Sequence, residues 1–167
     1  MKPVGGAGRS KGDGAARERA RDFLEARRIA MVGVSRDEKD FCRLLMRELV
    51  GRGYDVVPVN PAATEIEGRR CYPRVQYASP PVEAALLLTP PEGTAQAVRD
   101  CLAAGVRRIW LHHGAGKGSA SPEALALCAE AGVEPVTGLC PFMVLPGASL
   151  PHRVHGFVRR LGRLRPS

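Results

Sequence analysis

The sequence predicts an α/β domain, a parallel β-sheet covered on both faces by helices. Three observations predict it. Short apolar runs such as RIAMVGV (28–34) and AALLLT (84–89) are nearly continuous, as in strands buried on both faces. Between them lie segments with apolar residues at helical spacing. Glycine or proline marks most of the junctions.

Residues 1–14 are Gly-rich and polar and are expected to be a disordered tail. A helix is predicted from Ala15 to Ala26, with Phe23 and Leu24 as its large apolar residues. The run 28–34 is the first strand. A helix over 41–53 follows, with Phe41, Leu45 and Leu49 on one face and Gly51 or Gly53 ending it. YDVVPVN (54–60) and AALLLT (84–89) are the next strands. Pro91 opens a helix over 91–105 that Gly105 closes. VRRIWLH (106–112) is the fourth strand. Ser121 caps a helix over 121–132, Pro122 presets its first turn, and Gly132 ends it. VEPVT (133–137) is the fifth strand. This alternation implies right-handed βαβ crossovers, and so a three-layer Rossmann-like fold with a five-stranded parallel sheet over residues 15–147. Residues 148–167 are expected to be a basic C-terminal helix and tail, with Leu150, Val154, Phe157, Val158 and Leu161 along one stripe.

Composition excludes several classes. No apolar run is long enough to span a bilayer, and the N-terminus lacks the apolar core of a signal peptide, so a cytoplasmic location is expected. The 5 cysteines are odd in number and form no C-x-x-C pair, which fits reduced thiols rather than a disulfide framework or a zinc site. The net charge of +8 is carried by the ends. The central 29–149 holds nearly balanced Lys/Arg and Asp/Glu, whereas 150–167 holds five arginines and no acid. No specific nucleic-acid partner is expected from a near-neutral fold.

In an open parallel sheet, ligands bind beyond the carboxyl ends of the strands. Those ends carry Gly33-Val34-Ser35-Arg36, Val59-Asn60-Pro61, Thr89-Pro90-Pro91, His112-His113 and Leu139-Cys140. Gly33 permits a sharp turn, Ser35 offers a hydroxyl, Arg36 and Lys39 offer charge, and the helix at 41 offers free amides. That set suits a phosphate-bearing ligand. A dinucleotide of the nicotinamide type is disfavoured. Ser35 and Glu38 stand at the second and third glycine positions of G-x-G-x-x-G, and Asn60-Pro61 replaces the ribose-binding acid. HHGAGKGS (112–119) is not a phosphate-binding loop, because Gly118 follows Lys117 where Ser or Thr is required. His152 and His155 share a helix face with no carboxylate beside them, so no metal site is expected.

IAMVGVSRDEKDF (29–41) resembles the V-G-A-S-R-x-x-x-K-F-G pattern of the CoA-binding domain family, as found in small stand-alone bacterial proteins and in succinyl-CoA synthetase. GYDVVPVNP (53–61) is similar to G-Y-x-V-x-P-V-N-P, and EIEGRRCYPRV (65–75) to E-I-x-G-x-x-C-Y-x-x-L. LLLTPPE (86–92), AGVRRIWLHHG (104–114) and CAEAGVEPVTGLCPFMVL (128–145) follow in order. Two positions depart: Asp40 separates Lys39 from Phe41, and Cys42 stands where the pattern has glycine, a side chain able to narrow the approach to the turn. The resemblance implies coenzyme A as ligand. By position, Gly33, Val34, Ser35 and Arg36 line the phosphate turn, with Lys39 and Phe41 beside it. Val59, Asn60 and Pro61 flank the adenine or ribose, and Thr89, Pro90 and Pro91 close the other side.

The expected function is therefore non-catalytic binding of CoA or an acyl-CoA, as a sensor or carrier. The last helix leaves a homodimer open. Two alternatives stand beside it: a nucleotide-dependent enzyme using Cys140 or a histidine, and an accessory nucleic-acid or membrane-surface binder acting through the basic ends.

Overall fold

The computed structural model describes residues 10–113 and 117–147. The expected C-terminal helix, with His152, His155 and its arginines, lies outside the described residues, as do residues 1–9.

Four parallel strands form the sheet: β1 (Arg28–Val32), β2 (Asp55–Val59), β5 (Ala84–Leu87) and β6 (Arg108–Leu111), in the order β2-β1-β5-β6. The expectation of five strands is corrected. Only Val136 of the segment 133–137 pairs, as a single bridge to Trp110. Its amide donates to the Ile109 carbonyl at 2.9 Å and its carbonyl accepts from the Leu111 amide at 2.8 Å. Gly138 then adopts φ 70°, and the His113 amide reaches the Leu139 carbonyl instead. Upstream, Pro135 restricts the backbone of Glu134, and the ladder stops after one step.

Side chains alternate between the two faces of the sheet. Ile29, Met31, Ala84, Leu86 and Trp110 share one core with Ala20 and Phe23 of α1 (Ser10–Leu24) and Leu45, Met46 and Leu49 of α2 (Phe41–Gly51). Trp110 anchors it. Its ring meets Phe23 edge-on with centroids 5.2 Å apart, and its indole N–H donates to the Leu139 carbonyl at 3.0 Å. The opposite face, with Ala30, Val32, Val59, Ala85 and Leu87, packs against α3 (Pro91–Ala103) and α4 (Pro122–Glu130). Helix α3 buries small residues, Thr94, Ala95, Ala97 and Cys101, along with Val98. Small side chains let a helix sit close to a sheet.

The helix ends follow local chemistry. The hydroxyl of Ser121 accepts from the Ala124 amide at the start of α4. Gly105 at φ 75° and Gly132 at φ 65° take the left-handed position after α3 and α4. Helix α1 begins at Ser10, earlier than the expected Ala15.

A small hairpin between β2 and β5 had no sequence expectation. Strands β3 (Glu65–Ile66) and β4 (Arg69–Arg70) form a small antiparallel hairpin. Its two turn residues, Glu67 at φ 52° and Gly68 at φ 68°, have the positive φ values of a tight hairpin turn. Just beyond it Tyr72 bridges to Val59 at the edge of the main sheet.

Candidate functional site

The chain leaves β1 toward β2 on one side and later returns to β5 on the other. The strand order therefore reverses between β1 and β5, where a crevice opens beyond the carboxyl ends. Gly33 sits at this point with φ 87°. A Cβ there would lie 3.1 Å from the Thr89 amide nitrogen and 3.3 Å from the Leu88 carbonyl carbon. Two features thus require glycine: a left-handed backbone and the close passage of the segment that follows β5.

Directly beside Gly33 is a cleft of about 470 Å³, within the range of roughly 300–1,000 Å³ usual for small-molecule sites. Val32, Val59, Val75 and Ala97 form its apolar walls, Thr89 and Gly93 its α3 side, and Arg74, Gln96 and Asp100 its polar rim. Pro90 caps α3 without a side-chain hydrogen bond, and Pro91 opens the helix. The hydroxyls of Thr89 and Thr94 lie 2.7 Å apart, and Thr94 donates to the Pro90 carbonyl at 3.1 Å. These bonds fix the entry of α3 beside the Gly33 turn.

The loop from Ser35 to Asp40 is held by its own side chains. The Asp37 amide donates to the Ser35 hydroxyl at 3.1 Å, and the Lys39 amide to the Asp37 carboxylate at 2.9 Å. Asp40 is the N-cap of α2, accepting from the Cys42 amide at 2.9 Å. Cys42 does not narrow the turn. Its side chain is buried beneath the loop, where its sulfur accepts from the Ser35 amide at 3.1 Å. Both departures thus serve the local structure, and the expectation of free amides at the start of α2 is corrected: Asp40 takes the Cys42 amide and places a negative charge at the positive end of the helix.

Arg43 locks this loop to the hairpin. Its guanidinium is buried, donates to the carbonyls of Ser35 and Arg36 at 3.2 and 3.3 Å, and pairs with Glu67 at 2.7 Å. Arg47 also meets Glu67, at 2.6 Å. Arg47, and then Arg43, hold the Glu67 carboxyl below the usual carboxylate range against an opposing effect of burial.

The predicted site residues divide into three groups. Gly33, Val59, Pro61 and Thr89 line the cleft. Ser35, Arg36 and Lys39 lie on the loop that follows the Gly33 turn, where Arg36 and Lys39 are exposed and Arg36 lines a separate concavity of about 780 Å³ beside the hairpin rather than this cleft. Other predicted residues shape the site from behind. Val34 is fully buried, and its carbonyl accepts from the Asn60 side chain at 2.8 Å, while Asn60 Oδ1 accepts from the Ala62 amide. Phe41 turns to the opposite face, against His112 and Phe142 with ring centroids 5.8 and 5.7 Å away. Arg43, Arg74, Gln96 and Asp100 were not in the expected set. Only the quoted block 65–75, which contains Arg74, pointed to any of them.

The five cysteines are free and buried. Burial pushes Cys42 and Cys101 up to about 12 and raises Cys71, Cys128 and Cys140. A nucleophilic thiol needs the opposite shift. Burial, then His113, lowers the pKa of His112, leaving its imidazole neutral at physiological pH. We expect all five thiols to react slowly with a thiol reagent at pH 8 and promptly after denaturation. A fast single-equivalent reaction mapped to Cys140 would restore it as a candidate nucleophile. Among the described residues no cluster of three metal-binding side chains occurs, and no helix is long and apolar enough to cross a membrane.

A family model described as CoA binding domain matches residues 27–146. The chain belongs to this CoA-binding family. Solved structures agree with the membership. A hypothetical protein from Pyrococcus horikoshii OT3 superposes with a TM-score of 0.68 at 28% identity, covering 84% of this chain and 92% of its own. A conserved hypothetical protein from Pyrococcus furiosus shares 32% identity with a TM-score of 0.62, over 68% of this chain and 95% of that one. The dinucleotide forming acetyl-coenzyme A synthetase 1 of Ca. Korarchaeum cryptofilum matches at 28% identity with a TM-score of 0.57, over 65% of this chain but 25% of the synthetase. The same fold thus recurs both as a small protein and as one part of a larger enzyme.

Proposed function

We propose that the protein binds coenzyme A or an acyl-CoA in the crevice between β1 and β5, as a sensor or carrier with no chemistry of its own. One observation carries the reading. In a member of the CoA-binding family, the tight Gly33 turn opens directly onto a partly apolar cleft at the point where strand order reverses. In this reading the turn at Gly33–Arg36, with Lys39, takes the diphosphate. Val59 and Pro61 flank the adenosine, Asn60 holds the turn in shape, and Thr89, Pro90 and Pro91 close the opposite wall. The protonated, buried Cys140 favours binding over nucleophilic catalysis.

Thermal unfolding with and without ligand tests it. With CoA about a hundredfold above its Kd, linkage adds about 2.7 kcal/mol, equivalent to a rise of several degrees in Tm. NAD at the same concentration should give a much smaller shift. No shift with millimolar CoA, or an equal one with NAD, would refute the proposal.

A further inference from the structure

We infer that Arg74 is the residue that recognises the phosphomonoester on the adenosine ribose of CoA, and so distinguishes CoA from its 3′-dephospho form. This rests on the CoA reading above and adds to it an orientation and a specificity determinant.

Two concavities flank the loop after β1, and their charges differ. The larger, about 780 Å³, is lined by Glu38, Glu65 and Glu67 against Arg36 and Arg43, and Arg43 is already committed to Glu67. An excess of carboxylates repels a ligand end carrying a phosphate dianion. The smaller cleft of about 470 Å³ has apolar walls suited to an adenine ring and carries one cation, Arg74, balanced by a single carboxylate, Asp100, rather than an excess of acids. The adenosine end therefore belongs in the smaller cleft, with its ribose phosphate at Arg74. Lys39, and Arg36 where its loop borders the larger concavity, remain for the diphosphate.

Arg74 is poised for this role. Its Nε lies 3.3 Å from Asp100, whose side chain is only 13% exposed while that of Arg74 is 45% exposed. Asp100 also accepts from Gln96 Nε2 at 2.9 Å. The carboxylate holds the guanidinium at the rim of the cleft and keeps a second donor when the arginine turns part of its fork to a phosphate. A guanidinium has five N–H donors and binds phosphate in a planar, two-pronged geometry. The missing acid at the end of β2 agrees with this, because a phosphorylated ribose calls for a cation where a free diol calls for a carboxylate.

The test is calorimetric titration of CoA and 3′-dephospho-CoA into the wild-type chain, Arg74→Gln and Arg74→Lys. The wild type should bind CoA roughly ten- to a hundredfold tighter than dephospho-CoA, the span expected for charge-assisted hydrogen bonds. Arg74→Gln should bring CoA down to the affinity of dephospho-CoA and leave dephospho-CoA unchanged. Arg74→Lys, which keeps the charge and loses the fork, should narrow the gap, and it decides the matter if Arg74→Gln fails to fold. A gap that survives in both variants overturns the assignment, as does equal binding of the two ligands by the wild type, which leaves the CoA reading intact. A wild type that binds neither ligand defeats the CoA reading and this inference with it.

Discussion

Replacing Gly33 by alanine is expected to lower stability by about 1–3 kcal/mol, the range for a side chain held in a sparsely populated backbone region, and to weaken CoA binding at least tenfold. The residue's φ of 87° is strained for an L side chain, and the new methyl would press on the Thr89 amide at 3.1 Å. Relief requires the segment after β5 to move away from β1, and that movement widens the crevice where the diphosphate is proposed to lie. Denaturant unfolding reads the first effect and calorimetric titration of CoA the second. A variant of wild-type affinity would show that the close passage of these two segments is irrelevant to the ligand.

The second large effect is expected at Arg43, which should cost about 2–3 kcal/mol when replaced by methionine, because a buried pairing is broken and two loop carbonyls lose donors. Methionine keeps an unbranched apolar stem at this buried position of α2, so the change isolates the guanidinium. Glu67 retains Arg47, which keeps the loss below that of a fully stranded charge. The effect has a pH signature. The folded pKa of Glu67 is depressed, so its pairing contributes above about pH 4.3, the ordinary glutamate value, and is lost as pH falls through the lowered folded value. The stability gap between wild type and Arg43→Met should therefore shrink between pH 7 and pH 3, as measured by urea unfolding at each pH. A gap that is constant with pH would mean that the contribution of Arg43 lies in its carbonyl contacts alone.

The main sheet was legible because β1, β2, β5 and β6 are apolar runs buried on both faces, and such runs are visible without tertiary context. Helix α4 was legible from Ser121, Pro122 and Gly132, which act through local backbone chemistry. The fifth strand was over-read. VEPVT has suitable residues, but pairing depends on where its neighbour β6 stays extended and where Gly138 turns. The β3–β4 hairpin escaped notice because two-residue strands carry no periodicity. In the candidate site, the turn at Gly33 and the approach of Thr89 followed from strand ends alone. The rim did not. Arg74 and Asp100 meet across the chain, and no local pattern joins them. Arg43 reads as a solvent-facing helix residue until the hairpin brings Glu67 over it.

The most direct test of the central claim is a titration of the ¹⁵N-labelled protein with CoA, followed by amide chemical shifts. Binding in the β1/β5 crevice predicts the largest changes at Gly33, Ser35, Arg36, Thr89 and Gly93, with side-chain changes at Arg74. Saturable shifts confined to the hairpin groove around Glu65–Gly68, or no saturable shifts at millimolar CoA, would contradict it.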